Sequence, residues 1–341
     1  MSRFAFLLLP SFNRVYARAS GPLARAELEM FGRAALGERV RDIAETRMAG
    51  VPYITFECDG FTARDAALLG NLSSLYALFA VERDGGLRPV PAPGLDRLDD
   101  DLLTILKYQG KTNEQFTKLL LNVTLLSSRF AGDMLTRRFS VLDPLCGRGT
   151  TLNQALMYGF DAYGMDIDQR DIETYAAFIR RWLQDKRLKH QAEYIPVRRD
   201  KKLVAHRLRA TFAGDKEDYK AGDVQHLDVV HAPAEQAPRF FRPGSVDLVV
   251  ADAPYGIQHG SSAGAGLARD PLGLLRECAP GWASVLRSGG ALGLAWNTLV
   301  ARREDAAAAL TGAGLEVVAH PGFRHRVDQA ISRDILLARK P

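Results

Sequence analysis

The run Val141-Leu-Asp-Pro-Leu-Cys-Gly-Arg-Gly-Thr-Thr-Leu152 constrains this chain more than any other segment. It reads as an apolar strand that breaks at Asp143 and Pro144 into a glycine turn, with a helix opening behind it. Gly147 and Gly149 have no Cβ, so the backbone there can approach a ligand closely at a helix N-terminus. The same turn serves plain helix–strand packing in many α/β domains, so alone it marks a fold class and not a ligand. A second segment narrows the choice. Asp252-Ala-Pro-Tyr255 follows the apolar run Val246-Asp-Leu-Val-Val-Ala251, which places it at the C-terminal end of a buried strand, where α/β proteins build their sites.

With 341 residues the chain exceeds one ordinary domain, which predicts two. A hydrophobic content of 47% and a charged content of 25% allow a large core and force no segment into disorder. The first apolar run, Phe4–Leu9, is too short for a signal-peptide core, and no run reaches membrane-spanning length. Cys58, Cys146 and Cys278 are far apart and odd in number, so neither a disulfide framework nor a cysteine-rich metal site is indicated. The expectation is a cytoplasmic protein with no membrane partner and no metal.

Residues 1–94 predict a small N-terminal α+β domain. Its strands are Phe4–Leu9 and Val51–Cys58, and its helices Gly21–Phe31 and Thr62–Phe79. Asp84-Gly-Gly86 makes a turn, and Pro89, Pro91 and Pro93 stiffen a connector that ends at Gly94. Residues 95–341 alternate strands with helices, the pattern of a Rossmann-like α/β domain whose mainly parallel sheet carries helices on both faces. Strand candidates are Ser140–Asp143, Ala162–Asp166, Val246–Asp252, Ala291–Trp296, Leu315–His320 and Asp334–Ala338. A helix follows each of the first three, and another covers Arg302–Thr311. The last two strands are separated only by the loop Pro321–Arg333, so they pair as an antiparallel hairpin.

A turn of this kind holds either a pyrophosphate or the methionine end of S-adenosylmethionine. Dinucleotide sites use three glycines in G-x-G-x-x-G, the third for close helix–strand packing. Here Leu152 takes the third place. Asp143 at the strand end suits an ammonium group and would repel a pyrophosphate. Both observations favour the sulfonium cofactor, with Asp143 and the Gly147–Gly149 backbone beside its amino-acid portion and Cys146 inside the turn as a small packing residue. In Tyr163-Gly-Met-Asp-Ile-Asp168, Asp166 should end the second strand and accept the ribose hydroxyls, while Asp168 caps the next helix. Asp223, in Ala221-Gly-Asp-Val-Gln225, is a candidate acceptor for the adenine amino group.

Methyl transfer from a sulfonium needs an in-line nucleophile, and an aromatic exocyclic amine is a poor one because its lone pair is delocalised. The Asp252 carboxylate and the Ala253 carbonyl can each accept one N–H and draw the nitrogen towards tetrahedral geometry. Pro254 stiffens the turn so that the carbonyl points inward, and Tyr255 can stack on the base. Gly256–Arg269 contains His259 and a Gly/Ser-rich stretch, either a surface loop or a lid over the target base.

Asp143-Pro-Leu-Cys-Gly-Arg-Gly-Thr150 together with Asp252-Ala-Pro-Tyr-Gly256 resembles the class I S-adenosylmethionine-dependent amino-methyltransferases whose motif is Asn/Asp-Pro-Pro-Tyr/Phe. The leading aspartate, the glycine after the tyrosine and the stretch Lys107-Tyr-Gln-Gly-Lys-Thr-Asn113 are most similar to the THUMP-type tRNA guanine-N2 methyltransferases. So is His325-Arg-Val-Asp-Gln-Ala-Ile-Ser-Arg-Asp-Ile-Leu337, which matches that family's last strand. The resemblance spans roughly residues 105–340. It implies a tRNA or other RNA partner, methylation of guanine N2, and a place for Asn113, Phe116 and Thr117 over the methionine end of the cofactor. Ala253 departs from the pattern by replacing the first proline, but the backbone carbonyl it offers is the same. The helix around Ala26-Glu-Leu-Glu29 resembles the small domain that flanks THUMP and implies an RNA-positioning role for residues 1–94; the chain there is too short for THUMP itself.

Other readings of the same residues are DNA adenine-N6 or cytosine-N4 methylation, where asparagine more often opens the reaction motif, a catalytically silent cofactor- or RNA-binding module, and an NAD-linked oxidoreductase. Net charge is only +5, yet Arg180–Arg209 holds eleven Lys or Arg against three acids. That stretch is either a solvated helix face with a charged loop or a phosphate-contacting surface.

Overall fold

The computed structural model describes residues 2–11, 14–106, 108, 111–253 and 270–341. The N-terminal elements are β1 (Ser2–Leu8), α1 (Arg14–Ala34), β2 (Val40–Met48), β3 (Val51–Cys58), α2 (Ala63–Leu69), β4 (Leu75–Val81) and β5 (Leu87–Val90). They form an antiparallel sheet in the order β2-β3-β1-β4-β5. Phe4 on β1 stacks on Phe56 of β3 with ring centroids 5.4 Å apart. The helix expected over Thr62–Phe79 is half helix and half strand. A capping box between Thr62 and Asp65 starts α2, and it stops at Gly70, where a Cβ would lie 2.5 Å from the Ala92 carbonyl oxygen. The Asn71 Nδ2 donates to the Ala67 and Leu68 carbonyls and closes the end. The leucines beyond it have helical spacing, but Leu75–Val81 pairs with β1 instead. Strand β2 was not foreseen: every residue on it is at least partly exposed, so it has no buried apolar face to announce it.

The second half contains α3 (Asp101–Thr104), α4 (Glu114–Ser127), β6 (Ser140–Asp143), α5 (Thr150–Met157), β7 (Asp161–Asp166), α6 (Gln169–Asp185), β8 (His190–Arg199), β9 (Lys202–Phe212), α7 (Lys216–Ala221) and β10 (Gln225–His231). It continues with α8 (Ala237–Phe240), β11 (Val246–Asp252), α9 (Pro271–Val285), β12 (Leu286–Asn297), α10 (Arg303–Gly312), β13 (Glu316–Val317), β14 (His325–Arg326) and β15 (Ser332–Arg339). Among the described residues the large sheet runs β13-β15-β12-β11-β6-β7-β10-β9-β8, with β14 beside β15. From β10 to β12 the strands are parallel, and β15 inserts antiparallel between β12 and β13. A parallel sheet with its last strand reversed in this way is the Rossmann-like class I methyltransferase fold. The predicted final hairpin is present, though its first strand is only Glu316–Val317, opposite Arg339 and Ala338. The β8–β9 hairpin, between α6 and α7, was not foreseen.

The two sheets share one hydrophobic cluster that runs from Phe4 and Phe6 through α4 to Leu337. A polar seam crosses it. Fully buried Glu27 on α1 accepts from the Ser73 amide (3.0 Å), the Ser73 hydroxyl (2.6 Å) and the Asn122 Nδ2 of α4 (2.7 Å). The Tyr158 hydroxyl then donates to the Asn122 Oδ1. Burial raises the Glu27 carboxyl above its ordinary range, against the pull of those donors. Cys58, Cys146 and Cys278 are buried free thiols. No helix among the described residues is long and apolar enough to cross a membrane.

Candidate active site

Strand β6 ends at Asp143, and the turn behind it is held by the neighbouring strand. The Gly147 amide donates to the Asp166 Oδ2 (2.7 Å) and the Asp168 amide to its Oδ1 (2.8 Å), so one carboxylate fixes both strand ends. Asp168 itself caps α6, accepting from the Arg170 amide at 2.8 Å, as its place in the sequence predicts. Gly149 is the N-cap of α5 at φ +82°, and a Cβ there would meet the Tyr175 ring at 2.4 Å. Gly147 is different. Its φ is +49°, and nothing lies within 4 Å of where a Cβ would stand, so its open side faces room for a ligand.

Leu152, at the third glycine position of a dinucleotide fingerprint, is fully buried against β7. A Cβ on Gly164 of β7 would meet the Leu152 Cδ1 at 2.7 Å and the Cys146 Sγ at 3.0 Å. The close helix–strand approach is therefore made by a glycine on the strand. Cys146 packs there, its amide donates to the Met165 carbonyl, and burial raises its thiol well above the ordinary range; its side chain is structural.

Asp143, Asp166 and Asp252 end the adjacent strands β6, β7 and β11. Burial pushes the Asp143 carboxyl up to about 7, and the charges of Asp252 and Asp166 add to the rise, while the Leu145 amide and the Thr151 hydroxyl oppose it. Burial also raises Asp166. The Asp252 Oδ2 accepts from the Thr112 hydroxyl at 2.6 Å. Ala253 is buried, and its amide donates to the Ala295 carbonyl of β12, which fixes the backbone just after Asp252. Pro254, Tyr255, His259 and the expected lid Gly256–Arg269 lie outside the described residues.

Not every expected residue joins this cluster. Asp223 stands before β10, at the opposite edge of the sheet from Asp166, and is paired with Arg138. Strand β10 runs parallel to β7 with His231 opposite Asp166, so an acid preceding β10 cannot reach an adenine held at the strands' C-terminal ends. Thr117 is buried in α4 and its hydroxyl donates to the Asn113 carbonyl. Asn113 caps α4 by accepting from the Phe116 amide, and Phe116 is core, covered by Arg333 at 4.2 Å. Two neighbours in the same stretch do touch residues of the site. Tyr108 covers the glycine turn, with its hydroxyl 3.1 Å from the Thr150 Oγ1 and the Arg148 guanidinium 4.8 Å from its ring centre, and Thr112 reaches Asp252. No spacing rule couples residue 112 to residue 252, so only the fold could reveal that contact. Two more groups border the site: Ile167, 53% exposed just after Asp166, and His231, whose Nε2 lies 3.1 Å from the Ile167 carbonyl oxygen.

Three acids at adjacent strand ends beside one glycine turn disfavour a pyrophosphate and favour a cation, whose charge would draw the raised carboxyls of Asp143 and Asp166 to their ionised form. These acids and the open face of Gly147 fit a ligand that carries an ammonium and a sulfonium. Among the described residues no group of three or more His, Cys, Asp or Glu could hold a metal ion.

No protein-family model matches this chain, and no curated protein does. Among solved structures it is similar to PH0851, at 11% identity and a TM-score of 0.41 over all of this chain; it spans 60% of that protein's length. It is also similar to the N-methyltransferase NodS of Bradyrhizobium japonicum WM9 (14% identity, 72% of this chain, 99% of that one, TM-score 0.40). A third is the 1,6-didemethyltoxoflavin-N1-methyltransferase of Burkholderia thailandensis, with S-adenosylhomocysteine bound (14% identity, 60% and 72% covered, TM-score 0.36).

Proposed function

We propose that this chain is an S-adenosylmethionine-dependent methyltransferase acting on an exocyclic amine of a nucleic-acid base, guanine N2 of tRNA being the preferred target. The observation that carries the reading is the convergence of Asp143, Asp166 and Asp252 on one glycine turn at the C-terminal ends of adjacent strands.

The cofactor supplies an electrophilic methyl group on sulfur. The chain's own residues do the rest. Asp143 and the Gly147–Gly149 backbone take the amino-acid end. Each Asp166 oxygen already accepts one amide and keeps acceptor capacity for a ribose hydroxyl. Ile167 offers an exposed apolar surface against the adenine face. At the reacting end, Thr112 orients the Asp252 carboxylate. Together with the Ala253 carbonyl it accepts the amine's N–H groups and draws the nitrogen lone pair out of conjugation. With the methyl donor bound, transfer would leave it as a neutral thioether, and the Asp252 carboxylate would take the proton that the methylated nitrogen loses.

Total tRNA, rRNA and DNA incubated with methyl-labelled cofactor, followed by nucleoside mass spectrometry, test the reading. The expected product is N2-methylguanosine from tRNA. Asp252→Ala should abolish transfer and leave cofactor affinity within about threefold. Transfer at the wild-type rate by that variant, or N6-methyladenine in DNA as the product, refutes the corresponding assignment.

A further inference from the structure

The eleven basic residues of Arg180–Arg209 are sorted by the fold into three groups with different fates. Arg180, Arg181, Lys186, Arg187 and Lys189 lie at or beyond the C-terminal end of α6, at the edge of the sheet away from the site, and Arg181 and Lys186 are paired with acids there. Arg207 and Arg209 both reach Asp228 on β10, at 2.5 and 3.7 Å. The rest of the charge is at the tip of the β8–β9 hairpin, in Arg198-Arg-Asp-Lys-Lys202.

That tip stands on the active-site side. The pairing of β9 with β10 ends at Arg207 opposite Val230, while β8 and β9 stay paired out to Arg199 opposite Lys202. His231, the last residue of β10, is level with Asp166. Lys202 through Ala205 therefore extend past the level of His231 by about 13 Å, and Asp252 lies four strands away, so the tip is roughly 23 Å from Asp252. Arg198, Lys201, Lys202, Leu203 and Val204 are all exposed, and among the described residues none of these cations makes an ion pair.

The turn itself supports a use for the charge. Asp200 and Lys201 both have positive φ, +49° and +65°, which makes the tip a two-residue type I′ turn. Glycine or asparagine sits in such a turn at ease, and lysine does so under strain. A cation is kept where the backbone would favour its absence.

We propose that the β8–β9 hairpin is a phosphate clamp that holds the backbone of the RNA substrate several nucleotides from the base presented to Asp252. This deepens the proposed function and rests on it for the nature of the substrate. The clamp reads no sequence; it fixes register and orientation.

The test is binding, not catalysis. Fluorescein-labelled bulk tRNA is titrated with the full chain and with the triple variant Arg198→Gln, Lys201→Asn, Lys202→Gln between about 50 and 200 mM salt. Asparagine suits the turn, so the variant should keep the wild-type melting temperature and cofactor affinity. The expected result is tRNA binding weakened roughly tenfold or more at low salt, with the slope of log K against log salt reduced by about 2. Asp200→Lys should tighten binding. An unchanged affinity and slope in the triple variant, or no tRNA binding by the wild type, overturns the clamp even if transfer is observed. Loss of binding in the variant supports it even if no methylated nucleoside is found. A DNA duplex bound more tightly than tRNA and released by the same variant overturns the choice of RNA.

Discussion

The sharpest consequence of the site's electrostatics is that cofactor binding should release a proton near neutral pH. Burial holds the Asp143 carboxyl at about 7 against an ordinary value of 3.8, a difference of about three units, or about 4 kcal/mol against its charged form. In the free protein Asp143 is thus about nine-tenths protonated at about pH 6 and half protonated at about pH 7. An ammonium placed beside it favours the carboxylate, so binding expels the proton. The apparent Kd should fall roughly fivefold from about pH 6 to about pH 7, flatten, and rise again above about pH 8 as the cofactor's own amine deprotonates. Titration calorimetry in two buffers of different ionisation enthalpy reads the proton directly: about one released per cofactor at about pH 6, about half at about pH 7 and close to none at about pH 8. The free protein carries the opposite sign. Because the folded pKa is raised, the contribution of Asp143 to stability is fully present below its unfolded value and is lost as pH rises through about 7. Asp143→Asn should abolish the low-pH limb, weaken binding at about pH 8 by roughly ten- to a hundredfold, and make the free protein's stability less sensitive to pH. A Kd independent of pH from about 5.5 to 7.5 with no buffer-dependent enthalpy would show that Asp143 does not meet the ammonium.

Thr112→Val keeps the shape of the side chain but removes the hydroxyl donated to Asp252; kcat for methyl transfer should drop by roughly tenfold with cofactor Kd unchanged, and an unaltered kcat refutes a positioning role. Gly149→Ala forces a Cβ onto the Tyr175 ring at φ +82°, and urea denaturation should show a loss of about 2–4 kcal/mol. Glu27→Ala leaves the buried Ser73 amide and hydroxyl and the Asn122 Nδ2 without their acceptor. It should cost about 3 kcal/mol in the same assay, and a cost below about 1 kcal/mol would mean that the seam is not tightly buried.

The parts of the fold that were legible beforehand are those whose burial writes itself into the residue pattern. Strands β6 and β11 lie where the apolar runs before Asp143 and Asp252 put them, residue for residue, because both are buried and end in motifs with steric demands. The Thr62–Phe79 region was misread because leucines at 68, 69, 72, 75 and 78 satisfy helical spacing. The stop at Gly70 comes from the connector backbone at Ala92, a tertiary contact with no local signal. The β8–β9 hairpin escaped for another reason. Its tip is exposed from Lys202 to Val204, so charged residues fill positions that an ordinary strand would give to a buried face, and the alternation Leu208, Ala210, Phe212 is regular only where β10 pairs with it. Asp223 misled because a Gly-Asp pair beside an apolar run looks alike at either end of a strand; direction, which decides whether the acid meets the site, is set only by pairing with β7.

Gly164 bears on how such proteins are found at all. A search that counts glycines along the turn sees two and rejects the third place, because Leu152 stands there. The contact that the missing glycine would serve is intact, moved across the interface to the partner strand, where a Cβ would collide with that same leucine. Steric requirements of this kind belong to a pair of facing positions and can be discharged from either side. A pattern written along one segment will lose proteins in which the small residue has changed sides, whereas one that scores Leu152 and Gly164 jointly would keep them.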